Sequence, residues 1–132
     1  MTWFFLDTHR PHRSRVGWLL DSGTSKVKTI RGRSQNLWRI IPKDWGKRVK
    51  TLSGICVVAG PGSFSAVRIG VLYANLLSRF LKKPLIGVSV EEAKSLSRLG
   101  RDLRQKSHTT APYVAPVYDA EPNITVKIVK SL

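Results

Sequence analysis

Between Gly54 and Lys82 an apolar strand, a Gly-Pro-Gly turn and an apolar helix follow one another directly, and no other stretch narrows the fold as far. The run G-I-C-V-V-A-G at 54–60 is the strand. Gly60 and Gly62 admit backbone angles closed to residues with a Cβ, Pro61 fixes one φ between them, and Ser63 suits a helix N-cap. The helix from Phe64 to about Lys82 then presents the backbone N–H groups of its first turn beside the loop, a geometry able to hold phosphate. Gly60, Gly62 and Ser63 are therefore candidate phosphate or nucleotide contacts, with a plain tight turn as the alternative. The turn lacks the Gly-Lys-Ser/Thr ending that sets a lysine on a β/γ-phosphate and a hydroxyl on magnesium. ATP should accordingly bind weakly here, and no cofactor of the chain's own is expected.

Around that unit the rest of the chain takes its order. Alternation and turn residues predict strands at 2–8, 15–21 and 25–31, joined by the basic loop H-R-P-H-R-S and by Asp21-Ser22-Gly23. A short helical stretch from Gln35 to about Trp45 follows, with Leu37, Trp38 and Ile41 on one face and Pro42 and Gly46 limiting its length. After the strand at 54–60 and its helix come a strand at 85–90 and a helix from Glu91 to about Lys106. Strands alternating with helices imply parallel pairing through crossovers. The fold class is therefore α/β. A three-stranded meander followed by alternating helices and parallel strands is the order of an RNase H-like subdomain, the unit of the actin, sugar kinase and Hsp70 superfamily. Two short strands, at 113–119 and 123–129, end the chain.

At 132 residues and 42% hydrophobic content the chain fits one domain with its own core. Twenty-three Lys and Arg against eight Asp and Glu give a formal charge of +15, which favours contact with a polyanion. No apolar run approaches the roughly 20 residues of a membrane span, and no secretory signal opens the chain, so a cytoplasmic location away from membranes is expected. The single cysteine, Cys56, lies inside an apolar strand and reads as a small buried hydrophobe.

Catalytic and metal-binding residues are not expected. Asp7 closes the first strand where RNase H-like nucleases keep a magnesium ligand, and Glu91 is the one carboxylate placed to approach it, a thin basis for a two-metal site. His9 and His12 have no cysteine or carboxylate in their loop to complete a zinc site, and they read as a solvated basic turn. No activated Ser or Cys nucleophile is recognisable.

The two later helices differ in design. On the helix from 64 to 82, Ile69, Leu72, Leu76 and Phe80 follow one face while Val67, Val71, Ala74, Leu77 and Leu81 follow a second. One face covers the sheet, and the other needs either the helix at 35–45 or a protein partner. On the last helix Ala93, Leu96, Leu99 and Leu103 form an apolar stripe, with Lys94, Arg98, Arg101 and Arg104 recurring outside it as a solvated face or a set of phosphate contacts.

The turn's full wording, G-P-G-S-F-S-A-V-R-I-G at 60–70, closely resembles the G-P-G-S-F-T-G-(L/V)-R-I-G signature of the bacterial TsaB (YeaZ) family of tRNA threonylcarbamoyladenosine biosynthesis, agreeing at nine of eleven positions. Ser65 stands for threonine and Ala66 for the third glycine. T-W-F-F-L-D-T at 2–8 is similar to the family's opening strand, with His9 in place of a serine, and P-L-I-G-V-S-V-E-E-A at 84–93 to its next strand and helix start. The resemblance implies the same RNase H-like fold, with 1–110 as the N-terminal subdomain and 111–132 as the remnant of a second subdomain or an added hairpin. It implies a non-catalytic accessory subunit in making N6-threonylcarbamoyladenosine in tRNAs that read codons starting with A. Such a subunit pairs with the catalytic TsaD, whose metal-binding histidine motif is absent here, and works with the ATPase TsaE; tRNA is met through that complex. Heterodimer or homodimer packing is implied for Leu37, Trp38, Ile41, Tyr73, Leu76, Leu77 and Phe80, while the basic spacing of Lys94, Arg98, Arg101 and Arg104 makes them the candidate tRNA contacts within such a complex. A metal-dependent nuclease of the same fold and a stand-alone nucleic-acid-binding module are the alternatives.

Overall fold

The computed structural model describes residues 2–32, 45–106 and 113–117. Aromatic and branched residues on both sides of the first strand make it a central one. β1 (Thr2–Arg10), β2 (Arg13–Leu20) and β3 (Ser25–Arg31) form the expected antiparallel meander. A single turn, α1 (Trp45–Arg48), leads through a short 3₁₀ segment to β4 (Leu52–Gly60), followed by α2 (Phe64–Leu81), β5 (Leu85–Ser89), a second 3₁₀ turn (Glu92–Lys94) and α3 (Leu96–Lys106). The strand order is β3-β2-β1-β4-β5, with β1, β4 and β5 parallel.

Both faces of the sheet are covered, which is why β1 and β4 read as continuous apolar runs rather than alternating ones. Phe4, Leu6, Ile55 and Val57 meet Val67, Val71 and Ala74 of α2 in one core. Trp3, Phe5, Cys56 and Val58 meet Ala93, Leu99 and Leu103 in the other. Trp45 of α1 stacks on Trp18 with ring centroids 5.7 Å apart and packs against the first core.

Three sequence expectations shift. The basic loop between the first two strands is mostly strand, because β1 runs on to Arg10 and β2 starts at Arg13, across a register irregularity between Asp7 and Arg10. The helix placed at 91–106 is broken: Ser95 is extended, with φ −114° and ψ 100°. Ser89 and Glu92 form a reciprocal cap, the Glu92 N–H donating to Ser89 Oγ (3.1 Å) and the Ser89 N–H to Glu92 Oε1 (3.2 Å), so the first turn closes on itself and a new helix begins after Ser95. Residues 113–117 are not a strand. Asn75 of α2 replaces the ladder there, its Nδ2 donating to Val114 O (2.9 Å) while its Oδ1 accepts from the Val114 N–H (3.0 Å), and Val114 enters the first core. The stretch 35–44, with Leu37, Trp38 and Ile41, and the strand at 123–129 lie outside the described residues.

Candidate functional site

The signature turn brings the ends of β1, β4 and α2 together. Its Gly60–Pro61 peptide is cis and Gly60 has φ +119°, a conformation open to glycine. A Cβ on Gly60 would run into the Val117 carbonyl, one on Gly62 would come within 2.6 Å of His9 O, and one on Gly70 would overlap Thr8 Oγ1. Gly60 and Gly62 therefore let other backbone segments approach, and Gly70 makes room for the Thr8 side chain. Ser63 does not cap α2 through its side chain as its residue type suggests; its N–H donates to His9 O (3.1 Å), and its own carbonyl accepts the first helical bond from Val67 (2.9 Å). Thr8 Oγ1 donates to Ala66 O (2.6 Å), fastening β1 to α2 where the family signature has glycine.

Beside the turn, Asp7 is 2% exposed and forms the hub of a polar cluster. Its Oδ2 accepts from Arg15 Nε (2.9 Å) and Nη2 (2.8 Å), and its Oδ1 from the His9 N–H (3.1 Å) and the His9 ring at Nδ1 (2.6 Å). His9 thus has a carboxylate partner that loop spacing alone did not offer. The pairing is legible only from hairpin register, which sets Asp7 opposite Arg15. Among the described residues no group of three or more His, Cys, Asp or Glu gathers. Asp7, His9, Arg10, Arg13, Arg15, Val90, Ala93 and Lys94 line a cavity of about 160 Å³.

The candidate partner residues separate. Tyr73 and Leu77 pack partly against the first core, and burial raises the Tyr73 phenol above its usual range. Leu76 and Phe80 stand out at 59% and 85% exposure, joined by Leu72 at 57%, a residue absent from the set implied by resemblance. These three recur every fourth residue, so they form one stripe down the helix. The candidate tRNA residues separate as well. Lys94 pairs with Glu91 at 2.8 Å and lines the hairpin cavity, Arg98 lies in a groove with Glu91, Glu92 and Asp102, and Arg101 lies beside the Gly23 turn. Acidic neighbours thus attend the start of this face.

Residues 35–128 match the family model described as "TsaD: tRNA N6-adenosine threonylcarbamoyltransferase". The chain is 37% identical over 59 residues to a protein of that name from Anaplasma phagocytophilum, covering 44% of this chain and 17% of that one. It is 40% identical over 52 residues to the Methylorubrum extorquens protein, covering 39% and 15%, and 37% identical over 68 residues to the Mesomycoplasma hyopneumoniae protein, covering 50% and 21%. The matched stretch is thus at most about a fifth of these relatives. Among solved structures, YeaZ from Pseudomonas aeruginosa superposes with a TM-score of 0.57 at 24% identity, over 67% of this chain and 45% of that one. A protein titled as having similarity to peptidase YEAZ from the same organism gives 0.56 at 26% identity, over 67% and 43%. The shared fold is RNase H-like.

Proposed function

Because this chain belongs to the TsaD family of tRNA N6-adenosine threonylcarbamoyltransferase proteins, we propose that it is a YeaZ-like, non-catalytic accessory subunit of the machinery that makes N6-threonylcarbamoyladenosine in tRNA. It pairs with a TsaD-type catalytic subunit, or with a second copy of itself, through the outer face of α2. The observation that carries this is the stripe of Leu72, Leu76 and Phe80, all more than half exposed on the helix that carries the second half of the family signature. Each such side chain recovers about 1.5–3 kcal/mol on burial, so three adjacent ones favour association.

A TsaE-type ATPase acts in the same complex, and tRNA meets the basic face of α3 (Arg98, Arg101, Arg104) there. The chain works in the cytoplasm. ATP binds the turn at Gly60, Gly62 and Ser63 weakly, since the turn's glycines serve close packing and the Ser63 N–H is already given to His9 O. The nuclease alternative is disfavoured by Asp7: a magnesium ligand would have to surrender the two Arg15 hydrogen bonds and the His9 pair.

Co-expression with the TsaD-type subunit of the same cell tests the proposal. The two should co-elute and support threonylcarbamoyl transfer to tRNA together. A folded chain that elutes alone and leaves the transfer rate unchanged would contradict it.

A further inference from the structure

The β1–β2 hairpin carries charge that neither the sheet nor the α2 stripe explains. In the strand register Arg13 stands directly opposite Arg10 on β1 and directly opposite Arg31 on β3, a row of three arginines across three adjacent strands. Like charges directly opposed in a sheet destabilise it, so a row of three calls for a compensating anion. All three are exposed at the hairpin end of the meander.

Below that row the cavity floor is built before any ligand arrives. Arg15 lies two residues from Arg13 on β2, hence on the same face. Its guanidinium is fixed by two bonds to the buried Asp7 carboxylate, and its Nη2 also reaches Ala93 O (3.2 Å). His9 Nδ1 lies 2.6 Å from Asp7 Oδ1, and that contact holds the ring in one orientation. Arg10, Arg13 and Lys94 close the sides. Asp7 is spent on Arg15 and His9, and Glu91, the partner of Lys94, is not among the lining residues. At about 160 Å³ the cavity falls well below the range of about 300–1,000 Å³ for sites that enclose drug-sized ligands. It suits a single tetrahedral oxyanion.

We propose that this hairpin is a nucleic-acid backbone site, one phosphodiester seated in the cavity over Arg15 and His9 between Arg10 and Arg13, with Arg31 continuing the track to the next phosphate. The site is separate from the α2 stripe, and its test needs no partner subunit.

The test is fluorescence anisotropy of a labelled tRNA transcript with the full chain across a salt series. Its variants are Arg10→Ser/Arg13→Ser/Arg31→Ser and a charge-matched control, Lys26→Ser/Lys28→Ser/Lys50→Ser, which removes as many cations elsewhere. The arginine variant should lose at least about tenfold in affinity, and its log–log salt slope should flatten by about one unit for each phosphate it no longer neutralises. The control should keep its slope within half of one such unit. Equal losses in both variants would mean a diffuse basic field, and no loss in the arginine variant would remove the site; either result overturns the proposal. Thermal melting of the arginine variant should show equal or higher stability, because the like-charge row is gone, and single Arg13→Ser gives the same slope test with less change. Titration with inorganic phosphate, read by NMR at the arginine side chains, separates the sources: saturation by phosphate alone with unchanged tRNA affinity in the variant would make this a free-phosphate site and overturn the backbone assignment.

Discussion

The two helices that cover the sheet were built to different specifications. α2 presents Ala66, Val67, Gly70, Val71 and Ala74 to the strands and still shows Leu72, Leu76 and Phe80 to the outside. α3 buries Leu99 and Leu103 and turns Arg98, Arg101 and Arg104 outward. A helix that has only to cover a sheet needs one apolar stripe, and α3 has one. The second stripe on α2 adds nothing to the fold of the described residues, and its cost in exposed apolar surface marks it as a surface for something else.

Adjacent residues of β1 anchor the two sides. Asp7 serves the α3 side through Arg15 and its bond to Ala93 O, and Thr8 serves the α2 side through Ala66 O.

Side-chain truncation breaks the comparison most strongly if it is wrong. Leu99→Ala should cost about 2–5 kcal/mol in chemical denaturation, whereas Leu76→Ala should stay within about 0.5 kcal/mol, being outside both cores. Comparable losses at the two sites would make the α2 stripe part of the core. Next in size are the two anchors. Asp7→Ala, which leaves Arg15 and His9 without their acceptor, should cost about 1–3 kcal/mol, and Thr8→Val about 0.5–1.5 kcal/mol. Magnesium-dependent RNA cleavage by the chain, abolished by Asp7→Ala, would instead revive the nuclease.

The outer face of α3 offers a subtler contrast. Arg98→Glu/Arg101→Glu should leave the fold intact and weaken tRNA association with the assembled complex, flattening the salt slope by about one unit for each phosphate released from this face. Unchanged slope and affinity would make this face merely solvated. The smallest effect concerns Tyr73 on α2. Burial raises its pKa, so the folded state holds the phenolic proton longer than the unfolded chain, and the associated stability is complete below about pH 10 and declines as pH rises toward the folded value. Ultraviolet titration of the chain and of Tyr73→Phe should differ by a step above pH 10, later still in the complex if the stripe is the partner surface.

Much of this was legible in the sequence because it rests on local pattern. The meander, β4, the turn, α2 and β5 are given by periodicity and by glycine and proline chemistry, and the two faces of α2 by helical spacing. What was illegible depends on pairing across the chain. The Asp7–Arg15 hub and the arginine row follow from strand register, and the Asn75 amide standing in for a ladder at Val114 is a contact between residues 39 apart. The break at Ser95 was readable in principle, since Ser89-Val-Glu-Glu92 carries the spacing of a capping box. The apolar stripe of α3 masked it by continuing in phase across the break.

The central claim is that the outer stripe of α2 meets a partner. Leu76→Asp/Phe80→Asp places two charges in that stripe, and the measurement is circular dichroism of the isolated variant together with its size-exclusion profile in the presence of the TsaD-type subunit. Native helicity with loss of co-elution, and of any self-association, is the predicted result. An unfolded variant, or a folded one that still co-elutes, would contradict it.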